Sequence, residues 1–83
     1  MKLSKYVKFR EEKFGGVLFE TQSEKVFTLN PTAAAVVREI ASGGDEEQIA
    51  VRVVQRCSGD AGTIRHEVRL FLTDLRSKGL VED

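Results

Sequence analysis

The chain has a single cysteine, Cys57, among 83 residues. That excludes an internal disulfide and any multi-cysteine zinc site, and it fits a reducing, cytoplasmic setting. It also has a single histidine, His66, with no second histidine or cysteine at metal-ligand spacing. No apolar run approaches the roughly 20 residues that span a bilayer. The lysines of the N-terminal stretch MKLSKYVKF are not followed by an apolar segment, so it does not read as a secretory signal and no membrane partner is expected. Net charge is zero, with 13 basic and 13 acidic side chains. A DNA-binding domain of this size is usually clearly basic, so no nucleic-acid partner is expected. The pairs Gly15-Gly16 and Gly43-Gly44 lack the flanking pattern of a phosphate loop. Neighbouring carboxylates such as Glu11-Glu12 and Glu46-Glu47 point in different directions and do not suggest acid–base work. No catalytic residue, metal site or cofactor is expected, so the chain does not read as an enzyme.

What is present is organised around Val26 to Val37, VFTLNPTAAAVV. Val26 to Leu29 has the β-branched, aromatic and apolar content of a strand. Asn30 offers an N-capping oxygen, and Pro31 suits the first helical position, where no N–H is needed. An Ala-rich helix follows. Period two therefore gives way to period 3.6 within two residues. Upstream, the alternation of Tyr6 to Arg10 predicts a half-buried strand, Gly15-Gly16 a turn or bulge, and Val17 to Glu20 a second strand. The polar stretch Thr21 to Glu24 then serves as a hairpin loop, and Lys25 to Leu29 is the third strand. Phe27 and Leu29 should point inward, with Lys25, Val26 and Thr28 elsewhere. Three helices are expected downstream, over about 31–42, 46–57 and 61–78. Asp45 and Gln48 form a capping box at the second, Asp60 caps the third, and Gly79 with Leu80 gives the third a Schellman ending on Leu75. Cys57 falls on a core stripe, where it acts as a small hydrophobe. At 83 residues this is one small domain of the α+β class, 1–83.

The third helix carries most of the functional information. Ile64, Val68, Phe71 and Leu75 share its core face, with Leu72 at the margin. Arg65, Arg69 and Arg76 lie just beyond Leu72, and the opposite flank holds Glu67, Asp74 and Lys78. His66 and Leu70 face outward; Leu70 is either an ordinary exposed leucine or part of a protein contact. Two readings fit the arginine rim: a wall for carboxylates, or a solvated face with i,i+4 pairing. Two also fit the outer strand edge: a site for strand addition by a peptide, or a short edge protected by charge such as Lys25. The free edges leave a homodimer open as well.

Several local stretches resemble the PqqD-like family of the pyrroloquinoline quinone biosynthesis type. These are small recognition elements for ribosomally made, post-translationally modified peptides. The matching segments are Gly16 to Phe19, Val26 to Val36, Glu47 to Ala50, and Glu67 to Leu75 with Gly79-Leu80. The Leu-Asn-x-Thr-Ala-Ala-Ala segment is the most specific. The resemblance implies a three-stranded antiparallel sheet followed by a three-helix bundle, in a winged-helix-like arrangement. It implies a non-catalytic chaperone that binds the leader of a precursor peptide by strand addition and presents it to a radical SAM enzyme. Carried onto this chain, the platform is Lys25, Val26, Phe27, Thr28 and Leu29, and the opposing wall is Arg65, Arg69, Leu72 and Arg76. Acidic leader side chains would meet the three arginines, and apolar ones would pack on Leu72. The first helix ends in Ser42-Gly43-Gly44 where the family often has an Asp-Gly turn, and the N-terminus is lysine-rich rather than proline-containing. The competing reading is a winged-helix DNA-binding or regulatory domain. Zero net charge and the acidic segment Asp45-Glu46-Glu47 argue against it.

Overall fold

In a computed structural model, which describes residues 1–82, the sheet precedes the helices as the alternation requires. The chain runs through β1 (Lys2–Leu3), β2 (Val7–Glu12), β3 (Gly15–Glu20), β4 (Lys25–Leu29), α1 (Pro31–Ala41), α2 (Glu46–Arg56), α3 (Ala61–Ser77) and β5 (Val81–Glu82). β2, β3 and β4 form an antiparallel sheet in chain order, and β1 pairs with β5 in a separate two-stranded ladder. This matches the expected α+β class. The terminal ladder was not expected: two-residue strands are too short to show a period.

The Gly15-Gly16 pair is not the turn itself. The hairpin closes between Glu12 and Gly15, so Lys13 and Phe14 form the tip and both glycines begin β3. Gly15 is there because of close approach. Its φ is 144°, and a Cβ would lie 2.2 Å from the Leu29 carbonyl oxygen. The start of β3 is thereby pressed against the junction between β4 and α1.

One sheet face carries Val7, Leu18 and Leu29 onto α1, where Ala34, Val36, Val37 and Ile40 are buried. α2 adds Ile49 and Val53, and α3 adds Ile64, Val68, Leu72 and Leu75, closing a single core. Leu72 is fully buried rather than marginal, whereas Phe71, expected in the core stripe, is half-buried. Cys57 is half-buried, packs against the core from its edge and caps the C-terminus of α2.

The helix ends follow their sequence signals. The Asn30 side chain accepts from the Ala33 N–H at 2.8 Å, and Asp60 accepts from Thr63 N–H at 2.8 Å. Asp45 and Gln48 exchange both bonds of a capping box, each at 2.9 Å. At the end of α3, Gly79 N–H reaches Arg76 O at 3.0 Å and Leu80 N–H reaches Leu75 O at 2.9 Å. Gly79 has φ 71°, which completes the Schellman ending. This ending turns the chain back so that Leu80 is buried near β4.

Candidate functional site

β4 ends the three-stranded sheet, and among the described residues no other strand pairs with its outer side. Which of its backbone groups are open follows from the alternation of an antiparallel ladder. Thr21 N–H donates to Tyr6 O at 2.8 Å, while Val7 N–H turns away to Ser4 O at 3.0 Å. The odd-numbered residues of β3 therefore bond to β2, and Gly16, Leu18 and Glu20 bond to β4. Their partners Leu29, Phe27 and Lys25 point their backbone groups inward. Val26 and Thr28 are left with N–H and C=O directed outward, able to bond one more strand. Their side chains lie on the outer sheet face, where Val26 is 59% exposed. The side chains of Lys25, Phe27 and Leu29 share the opposite face, towards the helices. Lys25 therefore sides with Phe27, not apart from it.

α3 runs antiparallel to β4 across a groove made of two clefts in line. At the Lys25 end, a cleft of 310 Å³ lies between Lys25 and Phe27 on one side and Lys78 and Leu80 on the other. The Lys78 ammonium sits 6.0 Å from the Phe27 ring centroid and also pairs with Asp74. Glu20 borders this cleft, but its carboxylate is engaged by the loop after β3. The Ser23 hydroxyl donates to it, as do the Gln22 and Ser23 N–H groups at 2.8 Å, and these bonds hold its pKa below the ordinary carboxylate value. At the Leu29 end, a cleft of 370 Å³ has Asn30, Ala33 and Val36 on one wall. Glu67, Leu70, Phe71 and Asp74 of α3 form the other.

The expected opposing wall is not where the sequence reading put it. Arg65, Arg69 and Arg76 lie on the α2 side of α3. Arg65 pairs with Glu47, Arg69 Nη2 stands 3.5 Å from the same carboxylate, and Arg76 Nη1 stands 3.6 Å from Glu46. The Arg65 guanidinium is the chief cause of a lowered Glu47 pKa. Leu72, at 0% exposure, is part of the core and faces no groove. The reason is angular: the buried stripe of α3 centres between Val68 and Leu72, which swings the arginines onto α2 and the other flank towards the start of α1 and, at Lys78, towards β4. Glu67, Asp74 and Lys78, noted in the sequence only as the opposite flank, are the side chains that line the groove. Leu70, 58% exposed, is one of its walls. The signal that could have found this was the acidic start of α2, which predicts where three arginines of the neighbouring helix will turn.

His66 is exposed on the outer face of α3, as its position in the helix implies. Among the described residues, no group of three His, Cys, Asp or Glu side chains could hold a metal ion, and no helix is long and apolar enough to cross a membrane.

No curated protein matches the chain in sequence. Two solved structures share its fold. One is described as TbiB1 in complex with the TbiA(beta) leader peptide. It is 27% identical, with a TM-score of 0.82 over 99% of this chain and 95% of that one. The other is a lasso peptide synthetase B1 complexed with the leader peptide. It is 20% identical, with a TM-score of 0.78 over 99% of this chain and 96% of that one, and shows likeness of fold alone. The family model for coenzyme PQQ synthesis protein D matches residues 15–81, from the first residue of β3 to the first of β5. That span holds the open β4 edge, the groove and all three helices, and by it the chain belongs to the PqqD family.

Proposed function

We propose that this protein binds the leader segment of a ribosomally synthesised precursor peptide as a fourth strand beside β4, and presents it to a modifying enzyme of the radical SAM class. The observation that carries this reading is the pair of outward-facing backbones at Val26 and Thr28 beside a groove walled by α3. Main-chain bonds there would supply affinity without regard to sequence, and the two clefts would select side chains at alternate positions of the added strand. Membership of the PqqD family supports it, as does likeness at 27% identity to a protein solved with a leader peptide. The platform is Lys25, Val26, Phe27, Thr28 and Leu29. The opposing wall is Glu67, Leu70, Phe71 and Lys78, in place of the arginine rim. The role is delivery, with no chemical step assigned to this chain.

The test is amide hydrogen exchange with and without the leader segment of a candidate precursor peptide. Val26 and Thr28 amides, fast in the free protein, become protected in the complex. Protection elsewhere with these two unchanged would reject strand addition. A DNA-binding role has less support, because the three arginines that a nucleic-acid surface would need are paired with Glu46 and Glu47.

A further inference from the structure

Resting on the strand-addition reading, the geometry points to a basic anchor: the cleft at the Leu29 end takes a lysine or arginine side chain of the bound strand, and this cation sets the strand's register. The 370 Å³ cleft has the lining such a side chain needs. Ala33, Val36, Leu70 and Phe71 offer an apolar bed for a methylene stem, and Glu67 and Asp74 in the same lining offer carboxylates to a cationic head. The Asp74 carboxylate is shared with Lys78, whereas Glu67 has no ion-pair partner among the described residues. Glu67 is therefore the charge available to an incoming cation.

The other end of the groove has the opposite preference. Lys25 and Lys78 border the second cleft, and the Glu20 carboxylate beside them is already taken up by Ser23 and Gln22. The Lys25-end cleft borders β4 itself, and the other lies just past Leu29 between the start of α1 and α3, so a strand added beside β4 and continuing past Leu29 would offer them side chains from the same, helix-facing set of alternate positions. At about 3.4 Å per residue, moving a lysine four positions along the strand carries it some 14 Å, away from Glu67 and towards the end of the groove that holds Lys25 and Lys78. A wrong register is thus penalised by like charge at one end and left unrewarded at the other. The backbone bonds at Val26 and Thr28 cannot supply this information, because every extended peptide offers the same groups. The chemistry recognised is an extended peptide strand carrying one basic residue.

Two synthetic peptides serve as probes: acetylated Thr-Lys-Thr-Val-Thr-Val-Thr, and the same chain with norleucine for lysine, which keeps the stem and removes the charge. Each is titrated into the full chain at low and high salt while the Val26 and Thr28 amide resonances are followed. The lysine peptide should bind at least five-fold more tightly, and the difference should shrink at high salt. In the variant Glu67→Gln, an exposed position, the preference for lysine should disappear. Equal affinity of the two probes, with Val26 and Thr28 still shifting, overturns the basic anchor and leaves strand addition standing. Absence of shifts at Val26 and Thr28 with both probes at millimolar concentration overturns strand addition, and the anchor with it.

Discussion

The ammonium of Lys78 stands 6.0 Å from the ring centroid of Phe27, joining the C-terminal cap of α3 to the middle of β4. This contact crosses the floor of the groove at its Lys25 end. The Schellman turn at Gly79 follows directly and brings Leu80 into the lining of the same cleft as Phe27. The same relationship fixes which flank of α3 faces the open strand. If Lys78 is over Phe27, then Asp74, Phe71 and Glu67 follow up the helix at intervals of three and four on the same side, and the arginines are turned away.

Replacing Thr28 with proline tests the open edge directly. The Thr28 N–H points away from β3, so proline removes no bond of the existing sheet, and its φ is compatible with an edge strand. Thermal stability should change by less than about 1 kcal/mol. Leader binding, measured by titration calorimetry, should weaken about ten-fold or more, from one lost main-chain bond and the ring that stands in its place. Unchanged affinity in a folded variant would mean that the ligand does not pair with Thr28.

The arginine rim gives the converse prediction. Arg69→Glu and Arg76→Glu place like charges beside Glu47 and Glu46, so stability should fall, by about 0.5–1 kcal/mol each for exposed pairs. Leader affinity should stay within two-fold of the parent, because both side chains face α2. A large loss of affinity with little loss of stability would restore the rim as a binding wall.

How much of this was legible before any coordinates can be read from these same residues. The strand-to-helix switch at Asn30 and Pro31, the three N-caps and the Gly79 ending are local, and each depends on bonds that span no more than five positions. They could be read directly. The direction of the arginines is not local. It depends on the rotation of α3 about its axis, fixed by where Leu72 and Val68 pack and by the charge on a different helix. A shift of the stripe by one residue, about 100°, is enough to exchange the two flanks. The β1–β5 ladder was hidden for another reason, since two residues carry no periodicity and its partners lie 80 positions apart, Lys2 opposite Glu82.

Gly15→Ala should be among the most damaging single-methyl changes in the chain. The new Cβ would sit 2.2 Å from Leu29 O and 2.8 Å from Asn30 O, at a φ of 144°. Backbone must move, and the Asn30 cap moves with it. The expected cost is at least about 2 kcal/mol, read from the urea midpoint. Gly43→Ala is the control. Its φ is 83° and no atom lies within 4 Å of the added methyl, so only the conformational cost of about 1 kcal/mol applies. Equal effects at the two sites would mean that the Leu29 approach is not a constraint.

Stability should fall in acid, and the sign is set by three carboxylates. Glu20, Glu47 and Asp60 each have a pKa below the ordinary value, through the Ser23 hydroxyl, the Arg65 guanidinium and the Thr63 N–H respectively. A group whose folded pKa is lowered binds fewer protons in the native state. Its contribution is complete above the unfolded values of 4.5 for Glu and 3.8 for Asp and disappears as pH drops through the lowered ones. Urea midpoints should therefore be flat from pH 7 to about 5 and decline below that. Glu47→Gln should flatten part of the decline. Added salt should weaken the Glu47 share more than that of Asp60, which comes from a hydrogen-bonded cap. A midpoint that rises on acidification would contradict all three assignments.

The most consequential charge for the fold lies away from the groove. Glu39 of α1 is 2% exposed; one of its oxygens accepts from Arg52 Nε at 2.8 Å, and the other is ion-paired with Arg56 Nε at 2.9 Å. Those arginines are four apart on α2, one turn above the other, so a single carboxylate staples both to α1. Arg52 does more than Arg56, because its Nη2 also bonds the Glu39 carbonyl at 3.0 Å and the Gly43 carbonyl. It therefore satisfies the frayed end of α1, where Gly43 interrupts the helix. Removing either arginine leaves a buried anion with half its partners, but only Arg52 also takes the donor from the Gly43 carbonyl and one of two donors from the Glu39 carbonyl, which keeps the Ser42 N–H. Arg52→Ala should cost about 2–4 kcal/mol and Arg56→Ala about 1 kcal/mol. Glu39→Gln should fall between them, since both arginines are partly solvated and can turn to water. The α1–α2 corner holds the N-terminus of α2, and with it Glu46 and Glu47, against the arginines of α3. Arg52→Ala should accordingly loosen the Arg65–Glu47 pair, visible as an upward shift of the Glu47 carboxyl in NMR titration. If Arg56→Ala proves the more damaging, the corner is held by charge alone and the carbonyl bonds of Arg52 contribute nothing.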